Sequence, residues 1–132
     1  MVRKRPTVLF DTNFLLIPSR FGVDIFEESE RALNLKPDFV VIKGVLDEIQ
    51  LLKEEAQPSF RKQLELAEKL AERCTIIDYE WREDEEVDDT IVRVSTSNGY
   101  IVGTTDAELR KRLHDQGVKV LFLRQKSFIM LE

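Results

Sequence analysis

The sequence predicts an α/β fold, specifically a three-layer α/β/α sandwich around a mostly parallel sheet of about five strands. Short apolar segments rich in Val and Ile recur along the chain, as expected for parallel strands that are covered on both faces. Segments with helical periodicity lie between them, and strands that alternate with helices form parallel sheets. Because the chain has 132 residues and neither repeats nor a linker, we expect one domain, residues 1–132.

Five segments are predicted as strands because each is short and apolar and lies between polar or turn-forming residues. In chain order they are Val8–Phe10, Phe39–Ile42, Thr75–Ile77, Tyr100–Val102 and Lys119–Leu123.

Six segments are predicted as helices because their apolar residues recur at a spacing of three to four. In chain order they are Phe14–Pro18, Ile25–Leu33, Gly44–Lys53, Ser59–Glu72, Val87–Ser97 and Ala107–His114. The fourth is the clearest, since Leu64, Ala67 and Ala71 share one face and most charged side chains occupy the other. Gly99 and Gly117 predict left-handed caps at the ends of the last two helices.

The composition indicates a folded protein without a membrane span. Apolar residues make up 42% of the chain and charged residues 34%, which suits a globular rather than a disordered protein. The chain has no run of about 18 uncharged apolar residues and no signal-peptide pattern at its N-terminus, so a cytoplasmic location is expected. The single cysteine, Cys74, excludes an internal disulfide and a cysteine-based zinc site, and we expect a packed thiol.

Acidic residues follow the predicted strands. Asp11 ends the first strand, and Glu48 lies in the helix after the second. Asp88 and Asp89 begin the helix after the third strand, and Asp106 follows the fourth. Because ligands of open parallel sheets bind beyond the carboxyl ends of the strands, we expect these acids to gather at one edge of the sheet.

Helix capping is the alternative explanation for these acids, because Asp is favoured at N-caps and in first turns. For Asp106, capping and a functional role are equally expected. Glu48 is harder to explain by capping because it lies within a helix, at the border of an apolar stripe, while Asp47 points to solvent. That stripe consists of Val45, Leu46, Ile49 and Leu52. The same geometry places Asp88 beside the apolar face of its helix and Asp89 further round, in a supporting or capping role.

A cluster of inward carboxylates requires a cation, because the like charges would otherwise repel one another. Oxygen ligands without His or Cys select hard cations, so Mg²⁺ or Mn²⁺ is the expected cofactor. The predicted ligands are Asp11, Glu48, Asp88 and Asp106, with Asp89 beside them. Such ions polarise phosphoryl oxygens and lower the pKa of an attacking water, which is the chemistry of phosphodiester hydrolysis.

Four segments carry a resemblance to a known family. In this order and spacing, VLFDTNFLL, VLDEIQLL, VDDTIV and YIVGTTDAELRKRL resemble the motifs of PIN-domain nucleases. The segment IPSRFGVDIFEESERAL and the Asp88-Asp89 pair resemble the archaeal relatives of the PIN endonuclease of the small-subunit processome. The resemblance covers nearly the whole chain. It implies a PIN-like α/β/α fold, Mg²⁺- or Mn²⁺-dependent endoribonuclease activity and, for this subgroup, a role in processing ribosomal RNA precursors.

The resemblance also assigns residues. The catalytic acids of the family match Asp11, Glu48, Asp88 and Asp106, while Asn13 matches the polar residue of the first motif and Thr104 the hydroxyl before the last acid. The candidate RNA-binding residues are Lys43, Arg110, Lys111 and Arg112. Because the net charge is −5, we expect affinity for RNA to draw on a protein partner or on self-association as a homodimer. Tyr79 and Trp81 are expected to pack against the domain edge, with stacking on an RNA base as the alternative.

Other functions are also compatible with parts of the pattern. Within the same class, a VapC-type toxin would cleave tRNA or rRNA and be held by an antitoxin. A non-catalytic RNA-binding module would have a decayed site, but all four acids are present here. A receiver-like phosphoacceptor domain would have paired acids near the first strand and a Lys at a late strand end, whereas only Asp11 ends the first strand and Lys126 comes too late.

Overall fold

A computed structural model describes residues 5–80 and 82–132, so Trp81 and the first four residues, including Arg3, lie outside the described part. The described strands form a six-stranded sheet in the order β3-β2-β1-β4-β5-β6. Their bounds are β1 Thr7–Phe10, β2 Asp38–Ile42, β3 Thr75–Ile77, β4 Ile101–Gly103, β5 Val120–Arg124 and β6 Phe128–Leu131. The first five strands are parallel and β6 is antiparallel to β5, which confirms the predicted mostly parallel sheet.

All six predicted helical segments form helices. The helices are α1 Thr12–Leu15, α2 Ile17–Phe21, α3 Ile25–Leu33, α4 Lys43–Glu55, α5 Pro58–Glu72, α6 Val87–Asn98 and α7 Ala107–Asp115. The first predicted segment is divided into α1 and α2 because Pro18 cannot donate a backbone hydrogen bond and instead occupies the first turn of a new helix. Gly99 and Gly117 adopt positive φ angles of 69° and 75°, as the sequence predicts for the helix ends. No helix in the described ranges is long and apolar enough to cross a membrane.

The strand β6 was not predicted from the sequence. The turn from Arg124 to Ser127 closes with a 3.1 Å hydrogen bond from the Ser127 N–H to the Arg124 carbonyl. Its central residues, Gln125 and Lys126, have φ angles of 53° and 57°. Hairpin turns with such angles usually contain Gly or Asn at these positions. The hairpin therefore lacks its usual sequence signal.

The sheet register brings the ends of β1 and β4 together. Phe10 pairs with Gly103, and the Asp11 N–H donates to the Gly103 carbonyl at 3.1 Å. Gly103 is required here, because a Cβ atom would lie 2.9 Å from the Phe10 ring and 3.0 Å from the Phe14 ring. These two rings stack at 5.0 Å and belong to the core. Asp11 and Thr104, the next residues of the two strands, are consequently neighbours.

The order in which strands are added to the sheet changes side between β1 and β4. From β1 the chain proceeds to β2 and β3 on one side, whereas β4 is followed by β5 and β6 on the other. In open α/β sheets this is the point where a crevice forms beyond the carboxyl ends of the strands. The topology therefore places the residues that follow β1 and β4 in the position where ligands bind.

Candidate active site

Asp11 is a buried carboxylate at the end of β1. Its side chain is only 4% exposed. Oδ1 accepts the Phe14 N–H at 2.7 Å, and Oδ2 accepts the Thr104 hydroxyl. The pKa of Asp11 is raised to about 7, chiefly by burial. The two hydrogen bonds oppose this increase, and the charges of Asp88 and Asp106 add to it. Asp11 is therefore held rigidly in a site that disfavours its negative charge.

Thr104 connects Asp11 to Asp106. Its hydroxyl is buried, donates to Asp11 and accepts the Asp106 N–H at 3.0 Å. Asp106 is the N-cap of α7, where Oδ1 accepts the N–H groups of Glu108 and Leu109 at 2.9 and 3.1 Å. Across the described chain, no hydrogen bond engages its other oxygen, Oδ2. Asp106 thus caps a helix with one oxygen, and the other oxygen is left available to a ligand.

Asp88, in the first turn of α6, is half-buried near the other acids. Burial is the largest cause of its raised pKa, and the negative charges of Asp106 and Glu48 also raise it. Arg112 has a smaller opposing effect. The same electrostatic coupling links Asp11 to Asp88 and Asp106. Acids from four separate segments therefore lie within electrostatic reach of one another.

Asp89 is engaged by partners outside this cluster. Its Oδ2 accepts the Glu86 N–H at 2.9 Å, and its Oδ1 accepts from Arg112 Nη2 at 2.8 Å. These two partners lower the pKa of Asp89. Because both oxygens are engaged, the geometry favours the capping role that the sequence also predicted for Asp89 over metal binding. Arg112 is paired with Asp89 of the same chain and is therefore less available to RNA.

The helix α4 presents its two acids as the sequence predicts. Glu48 is half-buried and Asp47 is exposed, while Val45 and Ile49 are fully buried. Leu52, which was predicted to belong to the same core stripe, is instead 38% exposed. It lies on a surface groove between the end of α4 and the start of α5, so this last part of the predicted stripe was wrong.

The chemistry of the cluster fits a hard divalent cation. Its available donors are carboxylate oxygens, which Mg²⁺ and Mn²⁺ prefer. Burial and, to a smaller extent, the charges of neighbouring acids raise the pKa of Asp11 and of Asp88, and a bound cation would favour their ionised forms. Within residues 5–80 and 82–132, no three acidic, histidine or cysteine side chains converge closely enough to form a ready metal-binding group. A bound cation would have to draw the carboxylates together against their repulsion.

Two concave surfaces flank the acids. The first, which we call the side cavity, lies between α4 and the segment that follows β3, and Lys43, Glu48 and Tyr79 are among its lining residues. The second, which we call the basic groove, lies on the β5 side. Its lining consists of Asn13, Ile17, Arg20, Phe21, Thr105, Arg110, Phe122 and Leu123.

The predicted RNA-binding residues occupy different positions around these surfaces. Lys43 lines the side cavity, whereas Arg110 lines the basic groove and stacks over the Phe122 ring at 4.7 Å. Lys111 is exposed. Arg20 also lines the basic groove and was not predicted, because it is a single basic residue in a short helix and belongs to no cluster of positive charge in the sequence.

Comparison with known proteins identifies relatives of this architecture. Residues 8–126 match the family described as "PIN like domain". Ribonuclease VapC4 from Methanocaldococcus jannaschii is 28% identical over 121 residues, which cover 89% of this chain and 90% of that protein.

Solved structures share the fold. The structure described as the PIN domain endonuclease Utp24 matches with a TM-score of 0.77 at 25% identity, covering 96% of this chain and 90% of that one. A domain of a functionally unknown protein from Methanocaldococcus jannaschii matches with a TM-score of 0.63 at 21% identity, covering 90% of this chain and 91% of that one. These similarities confirm the predicted α/β/α sandwich.

Proposed function

The chain belongs to the PIN-like domain family, and from this premise we propose that it is a divalent-metal-dependent endoribonuclease formed by a single domain. The observation that carries the proposal is the electrostatic coupling among acids from four segments that follow the carboxyl ends of the central strands. The ribonuclease VapC4 and the endonuclease Utp24, which resemble the chain over most of its length, support the same activity.

Asp11, Glu48, Asp88 and Asp106 are the proposed ligands of Mg²⁺ or Mn²⁺. When bound, the metal supplies charge stabilisation at the phosphoryl oxygens and lowers the pKa of the attacking water. Thr104 holds Asp11 in place through its hydroxyl. Asn13, two residues after Asp11 and exposed at the basic groove, is positioned to contact the substrate backbone.

The proposed reaction is the hydrolysis of a phosphodiester bond. Water adds to phosphorus, the bond from phosphorus to the 3′ oxygen breaks, and the products are a 5′-phosphate and a 3′-hydroxyl. Lys43 and Arg110 flank the acids and would hold phosphates on either side of the reacting one, with Lys111 at the exposed surface nearby.

For the substrate we propose a ribosomal RNA precursor. This proposal rests on the sequence resemblance to the processome endonucleases and on the fold shared with Utp24. The similarity to VapC4 supports a second candidate, a toxin that cleaves tRNA or rRNA and is held by an antitoxin. In either case an acidic cytoplasmic protein of net charge −5 would gain affinity for RNA from a partner or from a homodimer.

Cleavage assays test the proposal. Purified protein is incubated with labelled ribosomal RNA precursor and with tRNA, in Mn²⁺, in Mg²⁺ or in EDTA. We expect discrete cuts in the presence of metal and none in EDTA, and Asp106→Asn should abolish them. Asp24→Asn is a matched control, because Asp24 caps α3 through the N–H groups of Phe26 and Glu27 as Asp106 caps α7, but on an exposed surface. Cleavage that persists in EDTA and in Asp106→Asn would refute the proposal.

A further inference from the structure

We propose that the side cavity binds one base of the RNA beside the cleaved bond and that it selects guanine. The inference rests on the proposed ribonuclease function, which supplies the substrate class. Glu48 lines the cavity and also belongs to the acid cluster, so an RNA strand whose phosphate lies at the acids has a neighbouring base within reach of the cavity.

The cavity has the size and the walls of a binding site for a flat apolar group. Its volume is about 480 Å³, within the range of small-molecule pockets. Its apolar lining includes Ile42 at the end of β2, Leu51 on α4, Tyr79 after β3 and Val87 at the start of α6. Leu51 is 65% exposed, which leaves an apolar side chain open to solvent at the mouth. Stacking between an aromatic ring and aliphatic side chains is the usual way in which proteins hold an unpaired RNA base.

The wall that carries Tyr79 is fixed in place by α6 and by Tyr100, the residue before β4. The Tyr79 and Tyr100 hydroxyls are hydrogen-bonded at 2.5 Å. Arg93 donates to the Glu80 carbonyl at 2.8 Å and forms a two-point ion pair with Glu85, also at 2.8 Å. The segment that follows β3 is therefore held against α6, the helix that carries Asp88. A wall held in this way loses little freedom when a base binds.

The polar groups of the cavity favour a base that donates hydrogen bonds. The carboxylates of Asp47, Glu48 and Asp78 line the cavity, and each offers only acceptors when ionised. We assign the base contact to Asp78, which is exposed and adjoins the stacking residue Tyr79 in the chain. Guanine presents N1–H and N2–H side by side, and these can meet both oxygens of one carboxylate. Adenine and cytosine present one amino group each, whereas uracil places a carbonyl on both sides of its single N–H. Lys43, at the same cavity, can pair with the phosphate of the bound nucleotide.

Nucleotide binding tests the cavity without requiring catalysis. The full chain, labelled with ¹⁵N and kept in EDTA, is titrated with GMP, AMP, CMP and UMP while amide shifts are followed. We expect saturable shifts at Leu51, Tyr79 and Val87 with GMP, and affinity for UMP about tenfold lower, the discrimination typical of one two-point base contact. Equal affinity for all four nucleotides, or shifts that fall outside the cavity, would overturn the proposal.

Two variants close the cavity or remove its ring. A side chain at position 44 would extend from a Cβ lying 3.6 Å from Val87 Cγ2 and 3.9 Å from Ile42 Cδ1, so Gly44→Leu fills the space. The same change replaces glycine by a good helix former in α4, which favours folding. Gly44→Leu and Tyr79→Ala should each weaken GMP binding about tenfold or more. Unchanged GMP affinity in both folded variants would contradict the proposed position.

Cleavage of RNAs that differ in one base separates this inference from the proposed function. We expect faster cleavage beside guanine than beside uracil, and Asp78→Asn should remove most of that difference. Asp84→Asn is the control, because Asp84 is an exposed acid of the same segment that does not line the cavity, and its φ of 67° is one that Asn tolerates. Cleavage without base preference would refute guanine selection and leave the ribonuclease proposal intact. GMP binding in the cavity together with no RNA cleavage would support the cavity and refute the ribonuclease proposal.

Discussion

At the scale of single residues, Asp11 bears the largest electrostatic cost in the site. Its carboxylate is buried, and its pKa is raised from the ordinary value of 3.8 to about 7. Between those two pH values the folded state retains a proton that the unfolded state has lost. Stability therefore falls as the pH rises through this interval, by about 1.4 kcal/mol per pH unit, and the loss is complete above the folded pKa.

The first prediction is that Asp11→Asn is more stable than the unsubstituted protein at pH 8 in EDTA. The advantage should be on the order of 4 kcal/mol, the product of the slope and the width of the interval. It should disappear below about pH 3, where Asp11 is protonated in both states. Urea unfolding at a series of pH values measures this difference. Mn²⁺ at pH 8 should stabilise the unsubstituted protein and not the variant, because only the former retains the ligand. An advantage that does not depend on pH would contradict the assigned cause.

The second prediction concerns Thr104 as a positioning residue. Thr104→Val keeps the shape but removes the hydroxyl that donates to Asp11 and accepts from the Asp106 N–H. We expect a loss of about 1–3 kcal/mol in the free energy of unfolding, because buried polar groups lose their partner. The pKa of Asp11 should rise further, since that hydrogen bond lowers it, and the pH interval of falling stability should extend upwards.

Thr104→Ser separates this role from simple packing. Serine keeps the hydroxyl and loses a methyl group, so it should retain the pH profile while losing some stability. If Thr104→Val left the pH profile unchanged, Thr104 would act through packing alone.

At the scale of elements, helical geometry predicted the orientation of the acids correctly on α4. It placed Glu48 inward and Asp47 in solvent, and the structure agrees. On α6 it placed Asp88 beside the apolar face, where that residue is coupled to the other acids. The partner of Asp89 could not be predicted, because Arg112 belongs to another helix and helical periodicity contains no information about contacts between helices.

The third prediction follows from these orientations. Glu48→Gln and Asp88→Asn should each reduce RNA cleavage by orders of magnitude, because each removes a proposed metal ligand at nearly constant shape. Asp89→Asn should have a smaller effect, since its amide oxygen can still accept the Glu86 N–H and only the ion pair with Arg112 is lost. Single-turnover cleavage rates at saturating RNA measure these effects. Glu54→Gln, an exposed acid on α4, is the control, and a loss in that variant as large as in Glu48→Gln would contradict the assignment.

The strands and helices with a clear hydrophobic pattern were predicted from the sequence, whereas β6 was not. Apolar strands such as Val8–Phe10 and amphipathic helices such as Ser59–Glu72 carry their signal locally, so their positions agree with the structure within a few residues. The final strand is preceded by Gln125 and Lys126 in left-handed conformations that these residues rarely adopt. Contacts from α3 support that strand, since Arg31 donates to the Ile129 carbonyl at 2.7 Å and Glu28 accepts the Ile129 N–H at 3.1 Å. Contacts between residues so far apart in the sequence cannot be predicted from the local hydrophobic pattern.

At the scale of the whole molecule, the question is how a protein of net charge −5 holds a polyanion. The structure distributes positive charge unevenly around the acids. Lys43 lies at the side cavity, and Arg20 and Arg110 lie at the basic groove on the other side. Arg112, by contrast, is paired with Asp89. Arg110 has only a long contact of 4.0 Å with Glu132, so a single RNA strand that crosses the acids would meet positive charge before and after them.

The fourth prediction is that Lys43→Ala combined with Arg110→Ala weakens RNA binding and makes it less dependent on salt. Each phosphate contact on a single strand contributes a slope of about −0.7 to the logarithm of the binding constant against the logarithm of salt concentration, so losing two contacts should flatten the slope by about 1.4. Cleavage at saturating RNA should fall far less than in Asp106→Asn, because these side chains hold phosphates and do not take part in the chemistry.

Lys36→Ala combined with Lys119→Ala removes the same charge from exposed residues that precede β2 and β5, at the opposite edge of the sheet, and should leave the slope nearly unchanged. Dissociation constants measured across a salt series distinguish the two pairs. Equal flattening in both would mean that RNA responds only to net charge, and an unaltered slope in the first pair would assign binding to a protein partner or to another surface.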